Sequence, residues 1–491
     1  MIIGIDLGTT NSLVAVWEDG RPRLIPNSLG EFLTPSCVSI DEDGTILVGR
    51  AAKERLQTHP DKTAAVFKRF MGSDRTIRLG KREFRAEELS ALVLRSLKED
   101  AEAALGHPVT EAIVTVPAYF SDAQRKATRS AGVLAGLKVD RLLNEPTAAA
   151  LAYGIHQLGA ETRFLVFDLG GGTFDVSVLD MFEGVMEVRA SAGDNFLGGE
   201  DFVACLIDRF FERTGAPANL KVDAAFMQRL TAQIEAAKIA LSEEATSTVE
   251  VAQGAHTYTL ELDEPTFEQL CAPLLQRLRA PVERALRDAN LRGTELDKIV
   301  LAGGATRMPM VRRMVARMFG RFPECEINPD EVVALGAAVQ AGLKMKDAAL
   351  DEVVMTDVAP YSLGVSVTMH LADGSHTDGH FDPIIERNSP VPISRMKTYS
   401  PIRERQRTVS KLKIHPRDQM ENRTLMARAE RLYQQLRGSE REWFGAQTRL
   451  FEASLASQDT QRVVADRQKF GELIDHVERQ IRILPQPEPQ A

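Results

Sequence analysis

The chain has 491 residues, of which 44% are hydrophobic and 26% are charged, and its formal net charge is −9. Because one hydrophobic core stops growing at about 250 to 300 residues, this length predicts at least two domains. The acidic balance argues against a nucleic-acid partner, since proteins that bind phosphate backbones usually present a basic field. The basic stretch 401–431 is more simply explained as a solvated face.

The cysteines and the first residues bear on the cellular compartment. The four cysteines lie far apart in the sequence and form no CxxC pair, which indicates neither a metal site nor a disulfide framework and predicts a reducing, cytoplasmic location. The first residues reach a carboxylate at Asp6 without a basic region, and no apolar run approaches the length of about 18 residues that spans a membrane. We therefore expect neither export nor membrane insertion.

An internal repeat organises the first part of the chain. Residues 3–16 (IGIDLGTTNSLVAV) are echoed at 165–179 (LVFDLGGGTFDVSVL). In each copy Asp-Leu-Gly interrupts an apolar run and small residues follow, which predicts a β-hairpin whose turn lies close to another group. Two copies about 160 residues apart predict two similarly built halves.

Further elements follow from N-cap residues, prolines and the spacing of apolar residues. The predicted elements are a strand at 112–116 ended by Pro117, a helix entered at Ser121-Asp122, a helix with Pro146 as its first residue, a helix over 226–241, and a strand at 298–301. Beyond Met345 the pattern changes, and strict alternation at Leu363, Val365, Val367 and Met369 predicts a small β unit, followed by helical spacing. The predicted domains are residues 1–345, a linker 346–359, a β unit 360–414, a helical region 415–484 and a frayed Pro- and Gln-rich tail 485–491.

The two hairpins carry the residue types that bind a nucleotide polyphosphate. Small residues allow backbone N–H groups to approach phosphate oxygens, and carboxylates hold Mg²⁺ through its waters. Each hairpin alone could equally be a glycine turn in a sheet, but the paired occurrence favours phosphate binding. The chain contains neither the P-loop pattern GxxxxGK[ST] nor a dinucleotide-binding GxGxxG, which excludes those two solutions. The candidate residues are Gly8, Thr9 and Thr10 with Asp6, and Gly170, Gly171, Gly172 and Thr173 with Asp168.

Longer strings carry a resemblance to a known family. They are IDLGTTNS (5–12), FKRFMG (67–72), VPAYFSDAQRKAT (116–128), NEPTAAALAYG (144–154), FDLGGGTFDVS (167–177), LGGEDF (197–202), AGGATRMP (302–309) and INPDEVVALGAAVQA (327–341). Over residues 2–345 the sequence resembles the 70-kDa heat-shock chaperones, and among them the bacterial DnaK and HscC branch. The resemblance implies an actin-like ATPase fold of two duplicated halves, ATP or ADP with Mg²⁺ and possibly K⁺ as ligands, and hydrolysis of ATP.

The resemblance also implies roles for individual residues. Thr9 and Thr10 would contact phosphate, and Asp6 and Asp168 the water shell of Mg²⁺; Lys68, Glu145, Thr173 and Asp175 would serve hydrolysis; Gly199, Glu235, Lys238, Ser242, Gly303, Gly304, Arg307 and Asp330 would hold the nucleotide. Pro117 and Arg125 would relay its state to the substrate domain, and Arg141 would contact a J-domain co-chaperone. Plainer interpretations remain open: Lys68 as a surface lysine, Glu145 as a favourable charge at a helix start, Arg125 and Arg141 as solvated side chains. Ala305 replaces the serine common in the family, which should tune affinity for the nucleotide.

The resemblance weakens after the linker. The family continues with a β-sandwich of about eight strands that clasps an extended apolar peptide, but residues 360–414 leave room for about four strands. This predicts a truncated sandwich followed by a helical lid-like region. Val365, Val367 and Tyr399 match the peptide cleft, although plain sheet core explains them as well.

Two functions of different classes follow. The first is an ATP-dependent chaperone that binds and releases unfolded, apolar polypeptide segments, working with a J-domain co-chaperone and possibly a nucleotide exchange factor. The second is an ATPase module that has lost peptide clasping and acts as a regulatory or assembly partner. An actin-like filament protein or a sugar kinase shares the fold but not the family-specific strings.

Overall fold

The structure is a computed structural model. It describes residues 1–154, 161–182, 184–324, 326–350, 353–370, 376–398, 438–457 and 460–483, together with residues 422, 425, 426, 428, 429, 432 and 436. The chain divides into two compact units. The first contains Met1–Pro360 and Pro390–Pro392, and the second contains the described residues of 361–389 and those after 392.

The described strands and helices alternate along the first unit. The strands are β1 (Ile2–Asp6), β2 (Asn11–Glu18), β3 (Arg21–Ile25), β4 (Thr34–Pro35), β5 (Cys37–Ile40), β6 (Ile46–Val48), β7 (Thr63–Ala65), β8 (Thr76–Leu79), β9 (Arg82–Arg85), β10 (Glu111–Val116), β11 (Leu142–Asn144), β12 (Thr162–Leu169), β13 (Phe174–Phe182), β14 (Val185–Asp194), β15 (Thr246–Gln253), β16 (His256–Asp263), β17 (Lys298–Ala302), β18 (Val354–Val358), β19 (Leu363–His370), β20 (His376–Ile385) and β21 (Pro390–Val391). The helices are α1 (Arg50–Thr58), α2 (Ala86–Leu105), α3 (Asp122–Leu134), α4 (Glu145–Gly154), α5 (Gly199–Thr214), α6 (Ala224–Ala240), α7 (Glu264–Leu270), α8 (Ala272–Asp288), α9 (Pro309–Phe319), α10 (Val332–Met345), α11 (Gly438–Ser457) and α12 (Thr460–Ile483).

Two mixed sheets form the halves of the first unit. The order is β11-β10-β1-β2-β3 in one sheet, with β4 on β2, and β17-β12-β13-β14-β18-β21 in the other. The repeated sequences form equivalent hairpins, in which Ile3 pairs with Val16 and Leu165 with Val178. The predicted α/β fold of two duplicated halves is confirmed.

Two helices of small residues join the halves. All ten residues of α4 are buried, and α10 packs against them within a core that also contains Trp17 and Phe164. A Cβ at Gly336 of α10 would lie 1.7 Å from the carbonyl oxygen of Ala148 in α4. Only glycine permits this approach, and it brings the turns of the two hairpins close together.

The local start signals are observed with one shift. Ser121 caps α3, since its Oγ accepts a hydrogen bond from the N–H of Gln124 at 3.3 Å. The helix α4 begins at Glu145, one residue before the predicted Pro146. The predicted helix over 226–241 is α6, whose N-cap is Asp223.

The segment after residue 345 adds strands to the second sheet. Within the predicted linker, β18 pairs in parallel with β14, and Val185 lies opposite Val354. The strand β21, which the sequence assigned to the β unit, pairs with β18 instead, so that Asp357 lies opposite Val391. The pairing has a physical reason, since the outer edge of β18 offers backbone donors and acceptors that need partners.

The second unit contains a β-hairpin and a helical core. The strands β19 and β20 pair antiparallel, and Val365 is 38% exposed. Phe470 of α12 stacks on Phe444 and Phe451 of α11 at centroid distances of 6.2 and 4.7 Å. Tyr399, the rest of 399–414 and the tail 485–491 lie outside the described residues, so the predicted strand number stays a prediction. No helix in the described part of the chain is long and apolar enough to cross a bilayer.

Candidate functional site

A cleft of about 350 Å³ lies in the first unit, where the turns of the two hairpins meet. Most of the predicted nucleotide residues line it. They are Asp6, Gly8, Thr9, Thr10, Lys68, Glu145, Asp168, Gly170, Gly171, Thr173, Gly199, Glu235, Lys238, Ser242, Gly303, Gly304, Arg307 and Asp330. Gly172 and Asp175 are among the predicted residues that do not line it.

The two hairpin turns approach each other too closely for larger residues. A Cβ at Gly171 would lie 2.0 Å from Thr10 Oγ1, and a Cβ at Gly172 would lie 2.7 Å from Thr9 Oγ1. The glycines of one half and the threonines of the other therefore form one cradle of backbone N–H groups and hydroxyls. Such a cradle suits the oxygens of a polyphosphate.

A buried ion pair lies at the floor of the cleft. Lys68 Nζ donates to Glu145 Oε1 at 2.8 Å, and the two side chains are 4% and 9% exposed. Lys68 is held in the 3-10 turn Phe67–Phe70, and its ammonium lies 5.6 Å from the centroid of the Phe120 ring. This burial rules out the plainer interpretation of Lys68 as a surface lysine.

Three further carboxylates gather around this pair. Burial, and then repulsion from Glu145, raise the pKa of Asp6 to about 7 and that of Asp175 to about 8. The same causes raise the pKa of Asp168 well above its usual value. Asp6 accepts a hydrogen bond from Thr115 Oγ1 at 3.1 Å, and Asp175 from the N–H of Tyr119 at 3.2 Å. With Lys68 as the cation that lowers all three pKa values, the cluster has an excess of acidic groups.

One atom of this cluster indicates how the excess is balanced. Among the described residues, Asp168 Oδ2 is buried without a hydrogen-bond partner. An oxygen in this situation is costly unless it faces a cation or an ordered water. The residues present therefore fit a hydrated divalent cation beside Asp6 and Asp168.

The other end of the cleft is built by α6 and by the segment after β17. Glu235, Lys238 and Ser242 come from or just after α6, whereas Gly303 and Gly304 follow β17 directly. At the rim, Arg307 donates to Asp330 Oδ2 at 2.7 Å and to Asn328 Oδ1 at 2.6 Å. This end offers a charged rim and a glycine floor, as a flat base and a ribose require.

The predicted relay residues lie outside the cleft. Pro117 is buried and Arg141 is exposed. Arg125 is not simply solvated, since it donates to the carbonyl oxygen of Ala118 at 2.8 Å and to Asn144 Oδ1 at 2.7 Å. Asn144 in turn donates to the buried Asp357 of β18 at 2.9 Å. A hydrogen-bonded chain thus runs from α3 to the linker strand.

Sequence reasoning missed two residues that connect the halves. Arg69 Nη2 donates to Asp201 Oδ2 at 2.6 Å and to the carbonyl oxygen of Gly172 at 3.1 Å. Asp201 also accepts from the N–H of Gly198 at 2.9 Å. Both residues stand inside the strings FKRFMG and LGGEDF, so their place in those strings was the available signal.

Replacing Arg69 with methionine should weaken the binding of Mg·ADP by about tenfold, because the buried Asp201 loses its cation and the phosphate turn loses a support. Equilibrium titration with a fluorescent ADP analogue measures this change. Arg82→Met, on an exposed arginine of the same half, serves as the matched control. Unchanged affinity in Arg69→Met would show that the cleft closes without this contact.

Comparison with known proteins agrees with this architecture. The family model described as Hsp70 protein matches residues 2–79 and 74–432. The chain is 43% identical over 420 residues to proteins named Chaperone protein DnaK from Thermotoga petrophila, Thermotoga maritima and Thermotoga neapolitana, covering 83% of this chain and 69% of each relative. Fold and cleft define a two-lobed, actin-like nucleotide-binding protein, and the chain belongs to the Hsp70 family. Membership confirms the resemblance found in the sequence and implies nucleotide binding.

Proposed function

We propose that this chain, an ATP-dependent chaperone of the Hsp70 family, hydrolyses ATP to ADP and phosphate in the cleft between its hairpins. Binding and release of unfolded, apolar polypeptide segments would follow the state of the nucleotide. The observation that carries the hydrolytic site is the buried Lys68–Glu145 pair beside the unpaired Asp168 oxygen. These groups lie in the cleft lined by both phosphate-binding turns.

Each group at the floor of the cleft has a separate task. Phosphoryl transfer needs an oriented water and neutralised charge more than covalent chemistry. The ammonium of Lys68, fixed by Glu145, offers positive charge where the γ-phosphate lies. The Thr173 hydroxyl offers a hydrogen bond at the same end of the turn, and Asp175, fixed by the N–H of Tyr119, helps to orient water.

Asp6 and Asp168 would hold Mg²⁺ through its waters. A bound Mg²⁺ supplies positive charge that offsets the phosphate oxygens. Glu235, Lys238 and Ser242 would hold the adenosine together with the residues around Gly303. A second cation such as K⁺ stays a prediction.

Binding of Mg·ADP should become tighter as the pH rises from about 5 to about 8. The free protein keeps protons on carboxyls whose pKa values are raised, to about 7 for Asp6 and about 8 for Asp175, whereas a cation favours their ionised forms. Binding therefore releases protons in this window, and the dependence should level off above it. Calorimetric titration in two buffers of different ionisation enthalpy counts these protons. Equal binding heats in both buffers would contradict the proposed site.

Peptide binding by the second unit is the part of the proposal that most needs a test. We expect a labelled, unfolded, leucine-rich peptide to bind tightly to the full chain in ADP and weakly in ATP, as measured by fluorescence anisotropy. Val365→Asp places a charge on the β19–β20 hairpin and should abolish binding, whereas Val222→Asp, at an exposed valine of the first unit, should not. Absence of binding in both nucleotides, with hydrolysis intact, would favour the regulatory or assembly ATPase instead.

The partners of the cycle follow from the same proposal. The exposed Arg141 is the proposed contact for a J-domain co-chaperone, and Pro117 and Arg125 are the proposed relay. The chain from Arg125 through Asn144 to Asp357 supports the relay, because it reaches the linker strand directly. A nucleotide exchange factor and a cytoplasmic location stay predictions.

A further inference from the structure

Two cysteines that are distant in the sequence meet in the core of the second half. Cys205 lies on α5, and Cys271 follows α7 and begins α8. One turn before each cysteine, Phe202 of α5 and Phe267 of α7 pack edge to face with ring centroids 6.4 Å apart. This packing holds the two helices together, and the thiols of Cys205 and Cys271 are hydrogen-bonded to each other.

The two thiols differ in access to solvent. Cys271 is fully buried, whereas Cys205 is partly exposed at the edge of the same hydrophobic core. The hydrogen bond from Cys205, together with burial, raises the pKa of the Cys271 thiol. Because the thiolate is the reactive form, Cys271 is a poor first target for an oxidant. Cys205 is the thiol that a small oxidant reaches first.

We propose that Cys205 and Cys271 form a dithiol that hydrogen peroxide converts into an intramolecular disulfide. In the first step the sulfur of Cys205 attacks one peroxide oxygen, the O–O bond breaks, and a sulfenic acid and one water form. In the second step the sulfur of Cys271 attacks the sulfenic sulfur, the S–O bond breaks, and the departing hydroxide takes the Cys271 proton as a second water. The two thiols lose two electrons, and the peroxide gains them.

The position of the disulfide gives it a consequence for the fold. The segment that it closes, 205–271, contains all of α6 and therefore Glu235 and Lys238 of the cleft. Its first cysteine lies on the helix that begins at Gly199, another residue of the cleft wall. A cross-link that closes a long loop mainly restricts the unfolded chain. The oxidised protein should therefore melt a few degrees higher than the reduced one.

Peptide mapping after oxidation tests the proposal on the full chain. The native protein is treated with hydrogen peroxide, alkylated in denaturant and digested with trypsin without reduction. The expected product joins peptide 190–209, which contains Cys205, to peptide 239–277, which contains Cys271, at a mass 2 Da below the sum of the two thiol peptides. Dithiothreitol should separate the two peptides and reverse the rise in melting temperature.

Two variants and one control make the outcome decisive. Cys205→Ser should abolish the linked peptide, and Cys271→Ala should leave Cys205 as a sulfenic acid that dimedone captures. Cys37→Ser, which lies in the core of the other half, should leave the linked product unchanged. Recovery of Cys205 as sulfinic acid, as an intermolecular disulfide, or joined to peptide 322–344 of Cys325 would overturn the proposal. If Cys271→Ala does not fold, the wild-type map and Cys205→Ser still decide.

Discussion

Lys68→Ala should lower the rate of ATP hydrolysis by at least about 100-fold while nucleotide still binds, because a preorganised charge at the transferred phosphate is worth about that factor. The ammonium of Lys68 is fixed by Glu145 at 2.8 Å inside the cleft, so no solvent cation replaces it. Thr173→Ala should likewise lose most of the hydrolysis, through the loss of one hydrogen-bond donor. Single-turnover hydrolysis measures the rate, and titration with fluorescent ADP measures binding.

The two substitutions differ in their effect on stability, and this difference serves as a control. Lys68→Ala leaves Glu145 buried without its cation, which costs about 3 to 5 kcal/mol. Thr173→Ala removes a buried hydroxyl and leaves no unpaired charge. Thermal melts therefore separate a catalytic loss from partial unfolding. Lys81→Ala, at an exposed lysine of the same half, should keep full activity. Full hydrolysis in both site variants would refute the assignment of these residues.

Gly198→Ala should weaken nucleotide binding at least about tenfold, because overpacking costs about 1 to 3 kcal/mol. A Cβ at Gly198 would lie 2.5 Å from the backbone C and O of Gly171 and from the backbone N of Gly172. These are backbone atoms of the phosphate turn, so the turn itself has to move. The turn is also tied to α5, since the N–H groups of Gly199 and Glu200 donate to the carbonyl oxygens of Gly170 and Gly171 at 2.9 Å.

The matched control is a glycine with room for a methyl group. Gly471 lies inside α12, where a Cβ would meet only methyl carbons of Leu425 at 3.7 and 4.0 Å. Gly471→Ala should leave nucleotide affinity unchanged and slightly favour its helix. Calorimetric titration with Mg·ADP compares the two variants. Wild-type affinity in Gly198→Ala would show that the turn can shift without cost to the cradle.

Features with a short sequence range were predictable. The two hairpins follow from a strand, a small-residue turn and a strand within about 15 residues, and the start of α3 follows from Ser121. The misplaced start of α4 at Pro146 is an error of one residue, which is usual for helix ends. The fold class followed from the repeat and from the family strings together.

The position of a residue in a long-range contact was not predictable in the same way. Nothing near Asp357 in the sequence indicates that it is buried against Asn144, which is 213 residues away. The pairing of β21 with β18 depends likewise on an edge that exists only after the second sheet has formed.

The sequence by itself determined the two phosphate-binding turns and the residues that line the cleft, because close backbone approach and charge restrict the residue types within each short segment. Only the tertiary structure decided which of these groups are buried together. The Lys68–Glu145 pair, the Arg69–Asp201 contact and the Cys205–Cys271 dithiol each join segments that are distant in the chain. Such contacts depend on the closure of loops and on packing across the halves, and local patterns of apolar and polar residues carry no information about either.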